Sequence, residues 1–306
     1  MLWHSIKSKT PSQSAHWGTA LVALAALCWG LSGGIGAILT GDDWDPIVVS
    51  FYRGGIGLLF VLVWLGLRPQ HSGLANYRLW FWSALAGLGV AGNFAFYFVS
   101  IAEGSVAVAA TLMYCAPVFV YIISFILKIE QISVVKCMAI ALVMVGVALL
   151  TGIYEVDSSD VSLIAAGAGL LAGLCYALFI FGFKYAAPHG SPQAILSIAF
   201  IVLAGILFAA GDRGEALEVL TSSSLPWFVV LGVVGAGLSF IFYVVGLNYT
   251  APALASMVAM VEPVTASLFG VLFLDESLDG IQLFAMGLIL LTVTALCVYS
   301  SKHRQE

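Results

Sequence analysis

Ten long apolar segments, joined by short polar links, leave this chain few shapes to fold into. They run over roughly residues 17–40, 46–67, 77–102, 105–127, 134–152, 161–184, 190–210, 225–249, 252–274 and 279–299. At 1.5 Å of rise per residue, about 20 residues of helix cross a hydrocarbon core of about 30 Å. Backbone polar groups in that core must be bonded within their own segment, so each run reads as a helix. Transmembrane β-barrels are excluded, because their strands are about 10 residues long and alternate apolar with polar side chains. No segment here alternates in that way. The residues are 61% hydrophobic and 9% charged, whereas a water-facing domain carries about 25% charged residues. The expected fold class is therefore an all-α membrane protein with ten transmembrane helices and no sizeable soluble domain. The first segment has no convincing cleavage site and reads as an uncleaved helix. Cys28, Cys115, Cys137, Cys175 and Cys297 all fall within spans, which points to small packing groups, not to disulfides or a metal cluster.

The charges give the spans an orientation. With the N-terminus in the cytoplasm, the cytoplasmic segments hold Lys7, Lys9, Arg68, Arg78, Lys128, Lys136, Lys184, Lys302 and Arg304. The opposite side holds only Arg213, and Arg53 lies inside the second span. This is the positive-inside bias, and it predicts a multi-pass protein with both termini cytoplasmic. The acids segregate the other way: Asp42, Asp43 and Asp45, then Glu155, Asp157 and Asp160, then Asp212, Glu215 and Glu218, then Asp275, Glu276 and Asp279.

The chain also repeats itself at a shift of about 146 residues. "NFAFYFV" (Asn93 to Val99) falls on "SFIFYVV" (Ser239 to Val245), pairing Phe94 with Phe240 and Tyr97 with Tyr243. Pro117-Val118 falls on Pro263-Val264, and Glu130 on Glu276. "ALCWG" (Ala26 to Gly30) falls on "GLCYA" (Gly173 to Ala177) at a shift of 147. One offset persisting over three regions marks a duplication. Each copy holds five helices, an odd number, so the second enters the membrane from the other face. Two inverted five-helix repeats are the sequence signature of secondary transporters, with a site near the midplane.

These segments resemble the EamA-type members of the drug/metabolite transporter superfamily. The resemblance rests on "ALCWGLSGGIGAIL", on "GSVAVAATLMYCAPVFVYIISFILKIEQIS" and its partner "APALASMVAMVEPVTASLFGVLFLDESLD", and on the alanine- and glycine-rich helices after each. It spans about residues 17–299, and within the superfamily the aromatic-rich helices are most similar to the YddG-like exporters of aromatic amino acids. It implies ten helices, alternating access, and the fifth and tenth helices at the periphery. It departs at Ala116, where an acid usually precedes the first proline, so a symmetric acidic mechanism is not implied. The expected organisation is a cytoplasmic tail (1–16), a first repeat (17–152), an external linker (153–160), a second repeat (161–299) and a cytoplasmic tail (300–306).

Several residues inside the spans carry candidate chemistry. Glu262 lies near the bilayer centre, where a charge costs roughly 2.5 kcal/mol or more unless protonated, paired or wetted. It is a candidate for coupling protons or gripping a substrate amine; otherwise it is a protonated acid bonded to backbone that Pro263 frees. Arg53, in "FYRGG", either holds a substrate carboxylate with its planar fork of donors or snorkels to the external headgroups or pairs with an acid. Pro117 and Pro263 free the carbonyls of Met113 and Ala259, so each marks a hinge or a fixed kink that must face protein or a cavity. Trp29, Asn93, Tyr97, Tyr114, Tyr176, Ser239 and Tyr243 are polar-tipped groups deep in spans. They line a substrate path or make ordinary interhelical bonds. Trp44, Trp80 and Trp82 lie near span ends and read as interfacial anchors. Gly30 with Gly34, and Gly169 with Gly173, are spaced for close helix packing.

No catalytic residue, metal or cofactor is expected. "GLSG" (Gly30 to Gly33) matches the serine motif of rhomboid-like proteases, but His4, His16, His71, His189 and His303 all lie in tails or loops, so no base stands inside the membrane. No GxxxxGK[ST] or H-E-x-x-H motif is present, and neither charge rings nor a repeated filter suggest a channel. The expected function, with the resemblance taken in, is secondary transport at the bacterial inner membrane: export of small amphipathic metabolites, aromatic amino acids foremost, by alternating access. The partners are then a small-molecule substrate, protons as a candidate coupling ion, and the lipid bilayer, with no nucleic acid. A membrane receptor or scaffold without flux is the alternative.

Overall fold

The structure, a computed structural model, describes residues 11–69, 72–157 and 161–302. Lys7, Lys9, Arg304, Asp160, His4, His71 and His303, which entered the charge and histidine arguments, lie outside the described residues, as does the Lys302 side chain.

Ten helical spans are present among the described residues. They are α1 (Pro11–Gly41), α2 (Pro46–Leu67), α3 (Tyr77–Ala102), α4 (Val106–Ile126), α5 (Val134–Leu150), α6 (Leu163–Ala186), α7 (Pro192–Ala210), α8 (Leu225–Leu247), α9 (Pro252–Phe273) and α10 (Gly280–Lys302). Nine are long and apolar enough to cross a membrane, and α5 is the shorter tenth, at 17 residues. Local signals start several of them. Asp45 caps α2 through its Oδ1, which accepts from the Ile47 and Val48 N–H groups at 2.6 and 3.2 Å, and Pro46 fills the first helical position. Ser105, Ser162 and Ser191 cap α4, α6 and α7 in the same way. At α10 the Asp279 and Gln282 side chains bond to each other's backbone N–H, a reciprocal capping box.

The expected span boundaries hold closely, with two differences. The helix containing the first apolar run begins at Pro11, so His16 lies within its first turns and not in a loop. At the other end, α10 continues to Lys302. Apolar side chains such as Leu59, Val63, Leu272 and Leu291 point away from the protein, as lipid-facing side chains should.

The two repeats do not form separate blocks. α3 and α4 of the first repeat pack on α6 and α7 of the second, while α1 packs on α8 and α9. Each repeat therefore lends helices to two groups, α3–α4–α6 and α1–α8–α9, which exchange under the internal repeat. α2 packs on α7 and α8, and α5 packs chiefly on α10 at the edge of the bundle. A bundle interlocked in this way buries each repeat's apolar faces against the other.

Among the described residues, three helices break from regular geometry. α4 stops at Met113 and restarts at Ala116; α9 stops at Val258 and restarts at Val261. Pro117 and Pro263 sit just after these breaks. The Ala259 carbonyl, freed by Pro263, is taken up by the Glu262 N–H at 2.9 Å. α8 contains a π-helical stretch over Val233–Leu238, a geometry that concentrates at functional sites.

Glycines on partner helices let backbone approach these breaks. A Cβ on Gly173 of α6 would meet the Leu112 and Met113 carbonyl oxygens at 3.0 Å, at the break in α4. On α1, a Cβ at Gly30 would meet Thr265 Cβ at 2.5 Å, the Glu262 carbonyl oxygen at 2.6 Å and the Ala266 nitrogen at 3.0 Å. Both seams join the two repeats. Two of those three neighbours are backbone and cannot swing aside. Gly30→Ala should therefore cost about 1–3 kcal/mol, read as a lower melting temperature of the purified protein. Gly36→Ala on the same helix, where nothing lies within 4 Å, should leave it unchanged.

Candidate functional site

The irregular stretches of α4, α8 and α9 converge on one region between the two helix groups. Glu262 stands one residue past the restart of α9. Its Oε2 is buried and has no hydrogen-bond partner among the described residues, and the Tyr114 hydroxyl, from the turn that breaks α4, lies beside the carboxylate. Arg53 enters from α2 and interacts electrostatically with Glu262, Tyr114 and Tyr176, although the two charges do not form a direct ion pair. Its Nε donates to the Gly235 carbonyl at 3.1 Å, within the π-helical stretch of α8, and its guanidinium stands 5.1 Å from the Phe94 ring centroid. Gly235 is needed there: a Cβ would lie 2.5 Å from Ser32 Cβ and 3.0 Å from Arg53 Nε. The arginine is thus held by one edge over an aromatic face and does not snorkel to the headgroups.

An aromatic frame surrounds these charges. Trp29 of α1 contacts Tyr176, Phe179, Phe240 and Tyr243 with ring centroids 4.9–6.4 Å apart. Tyr176 and Phe179 meet at 4.5 Å, and Phe240 packs on Phe183 and Phe200. Trp29, Tyr176 and Tyr243 are nearly inaccessible, yet Trp29 Nε1 and the hydroxyls of Tyr176 and Tyr243 find no protein partner. The same holds for Ser239 Oγ, one turn before Tyr243. A buried polar group left unpaired costs about 1–3 kcal/mol. Four such atoms, together with the orphaned Glu262 oxygen, mark this region as the candidate site.

The structure sorts the sequence candidates. Trp29, Tyr97, Tyr114, Tyr176, Tyr243, Glu262 and Arg53 come together, Tyr97 being half-buried and within the electrostatic reach of Glu262. Asn93 does not join them through its amide: Nδ2 donates to the Ala172 carbonyl at 3.0 Å, tying α3 to α6. Pro117 and Pro263 are buried in the first turns after the breaks and bring no polar side chain to the cluster. Ser32, the serine of "GLSG", is buried and donates to the Trp29 carbonyl at 2.8 Å. Of the tryptophans read as anchors, Trp80 is exposed and donates to the Leu74 carbonyl at 2.8 Å, whereas Trp44 packs on Phe228 at 5.4 Å and Trp82 on Tyr185 at 4.9 Å. Those two are pinned by tertiary packing at the ends of their spans.

Phe94, Phe179, Phe240 and Gly235 escaped the list of candidates because nothing in an apolar run distinguishes a lining phenylalanine from a lipid-facing one. One partial signal was available. Phe94 pairs with Phe240, Tyr97 with Tyr243 and Trp29 with Tyr176 under the internal repeat, whereas Phe179 falls on Ser32 and carries no such mark.

Comparison with known proteins agrees with this architecture. The model of the EamA-like transporter family matches residues 16–152 and again 163–298. The chain belongs to the EamA-like transporter family. This EamA-like protein is 28% identical over 285 residues to an uncharacterized transporter of Archaeoglobus fulgidus, covering 90% of this chain and 94% of that one. It is 26% identical over 201 residues to the threonine/homoserine exporter RhtA of Salmonella typhimurium, 65% of each chain. A crystal structure that superposes with a TM-score of 0.72 covers 94% of this chain and 99% of its own, at 17% identity; that likeness is one of fold. The protein is a multi-pass membrane transporter, and the site is read on that basis.

The orphaned hydroxyls give the site a distinctive expectation. Tyr243→Phe removes a polar atom that has no protein partner, so the melting temperature should stay level or rise. Tyr52→Phe, which deletes a hydroxyl donating to the Ala216 carbonyl at 2.5 Å, should cost about 1 kcal/mol. Differential scanning fluorimetry of the two variants side by side checks this.

Proposed function

We propose that this EamA-like transporter exports aromatic amino acids from the cytoplasm across the bacterial inner membrane. The observation that carries the reading is the pairing of Arg53 and Glu262, opposite charges that interact without touching, inside an aromatic frame. A zwitterion matches that layout. Its carboxylate suits the guanidinium edge left over once Nε has bonded Gly235, and its ammonium suits the unpartnered Glu262 oxygen and the hydroxyls around it. An aromatic side chain fits the edge-to-face packing of Trp29, Tyr176 and Phe240, where each ring pair contributes about 0.5–1.5 kcal/mol beyond area burial. The RhtA exporters, named for threonine and homoserine, support amino acid export as the class. The ring frame favours larger side chains than theirs.

The lysines and arginines gathered on the face that carries the chain's ends support a cytoplasmic placement of that face. Alternating access then proceeds by movement of α3–α4–α6 against α1–α8–α9. Because the repeats interlock, the moving bodies are these mixed groups and not the two sequence halves. Glu262 takes up the coupling proton, since the residue that grips the ammonium is also the acid the site must neutralise when empty.

Counterflow in proteoliposomes tests the reading. Phenylalanine, tyrosine or tryptophan should exchange saturably, and threonine and homoserine more weakly. Phenethylamine and phenylpropionate, each lacking one charge, should compete at least tenfold less well. Arg53→Gln should impair the zwitterion far more than the amine, and Glu262→Gln should abolish the dependence of flux on a pH gradient. Binding without exchange would point to a receptor instead. Equal competition by the single-charge analogues would reject the zwitterion site.

A further inference from the structure

The internal repeat supplies a built-in standard for judging the two ends of the bundle, because every feature at one end has a counterpart at the other. At the end that carries the termini, the second half of α4 (Ala116–Ile126) packs on the first half of α9 (Pro252–Val258). Under the repeat, the matching pair at the far end is the first half of α4 with the second half of α9. These do not pack comparably: Val106–Met113 lies on α6, and Val261–Phe273 lies on α1. The two kinked helices meet at one end and diverge at the other.

The repeat-matched acids follow the same division. Glu130 and Glu276 are placed by the same backbone bond, from the acid's N–H to the carbonyl six residues back, Ser124 at 3.3 Å and Gly270 at 3.2 Å. Their side chains differ completely. The Glu130 side chain is 6% exposed; its Oε1 accepts from the Ala253 N–H, one residue into α9, at 3.3 Å, and its Oε2 pairs with Lys136. This joins the link after α4 to the start of α9, across the two helix groups. The repeat partner of Ala253 is Ala107, one residue into α4. Glu276 does not reach it: its carboxylate is exposed, lies against Gly270, and makes no hydrogen bond or ion pair among the described residues. A cleft of about 500 Å³ lined by Ser105, Ala107, Ser277, Leu278 and Asp279 occupies the place where the counterpart contact would form.

We propose that Glu130 and Glu276 are alternating latches, one on each face, with Glu130 closed on Ala253 in this structure and Glu276 closing on Ala107 in the opposite state. The proposal rests on the alternating-access reading above, but not on the identity of the solute. It also assigns a bias. Lys136 has Gln282 as its repeat partner, so only the Glu130 latch gains a cation. Lys184 adds a second tie at the same end, donating to the Leu247 and Thr250 carbonyls at 2.7 and 3.2 Å. The resting protein is therefore closed at the terminal face and open at the far one.

Spin labels at Val106 and Phe273, both exposed at the far ends of α4 and α9, read the gap directly by pulsed dipolar spectroscopy in lipid nanodiscs. The expected distribution has a major long distance and a minor short one. Charge-assisted hydrogen bonds are strong enough that Glu130→Gln should raise the ratio of short to long by roughly tenfold. Lys136→Gln, at a more accessible position, should move it the same way by less. Glu276→Gln should deplete the short component. Opposite shifts from the two glutamates are the signature, because general loosening of the fold would move both variants alike. Shifts in the same direction, or none, overturn the latches. The measurement needs no solute: if every amino acid fails in counterflow while the opposed shifts persist, the substrate reading falls and the latches stand.

Discussion

In lipid, each peptide group that leaves a helix must find another partner, and this one requirement organises the protein. α4 and α9 each leave a turn of irregular backbone mid-span, and α8 relaxes into a π-helical stretch. None of these can face hydrocarbon without exposing unpaired N–H or C=O groups. They are therefore turned inward, and glycines on α1 and α6 bring backbone close enough to cover them. Once the breaks face one another, the side chains beside them, Tyr114 and Glu262, are carried to the centre, and Arg53 arrives there by bonding the carbonyl of Gly235. The position of the site follows from how backbone polarity is satisfied.

Symmetry and its violation divide the work. Part of the aromatic frame recurs between the repeats, Trp29 with Tyr176, Phe94 with Phe240 and Tyr97 with Tyr243, while Phe179 has a serine, Ser32, as its counterpart. The charges break that symmetry, for Glu262 has Ala116 as its counterpart. The recurring aromatics give the two helix groups related surfaces, whereas the charged groups stand on one side of that relation alone. At the ends of the bundle the same logic recurs in Glu130 and Glu276, alike in backbone and unlike in partners.

Much of this was legible in the residues. The ten spans could be read because burial in lipid demands long unbroken apolar runs, and the structure shows capping chemistry at Asp45-Pro46, Ser191-Pro192 and Asp279 through Gln282 fixing several of their ends. Glu262, Tyr114, Trp29 and Tyr243 stood out because polar atoms are scarce in such runs. Asn93 stood out equally and proved to be an interhelical tie. Arg53 was ambiguous for a related reason: seven residues from a helix start, it is near enough to the headgroups to reach them and deep enough to reach the centre. The phenylalanines of the frame were hidden, since their chemistry is shared by every lipid-facing phenylalanine in the chain.

By itself, then, the sequence determined the number of spans, their inversion, the residues that break them and the acids and aromatics that recur between copies. All of these are written in composition, spacing and self-similarity, which are properties of the chain along its length. Only the tertiary structure decided that the repeats interlock, that Arg53 comes within electrostatic reach of Glu262, and that Glu130 is engaged while Glu276 makes no side-chain bond among the described residues. Those facts depend on which helix faces are pressed together. In an apolar chain many faces are nearly equivalent in hydrophobicity, and close backbone approach at a few glycines selects among them.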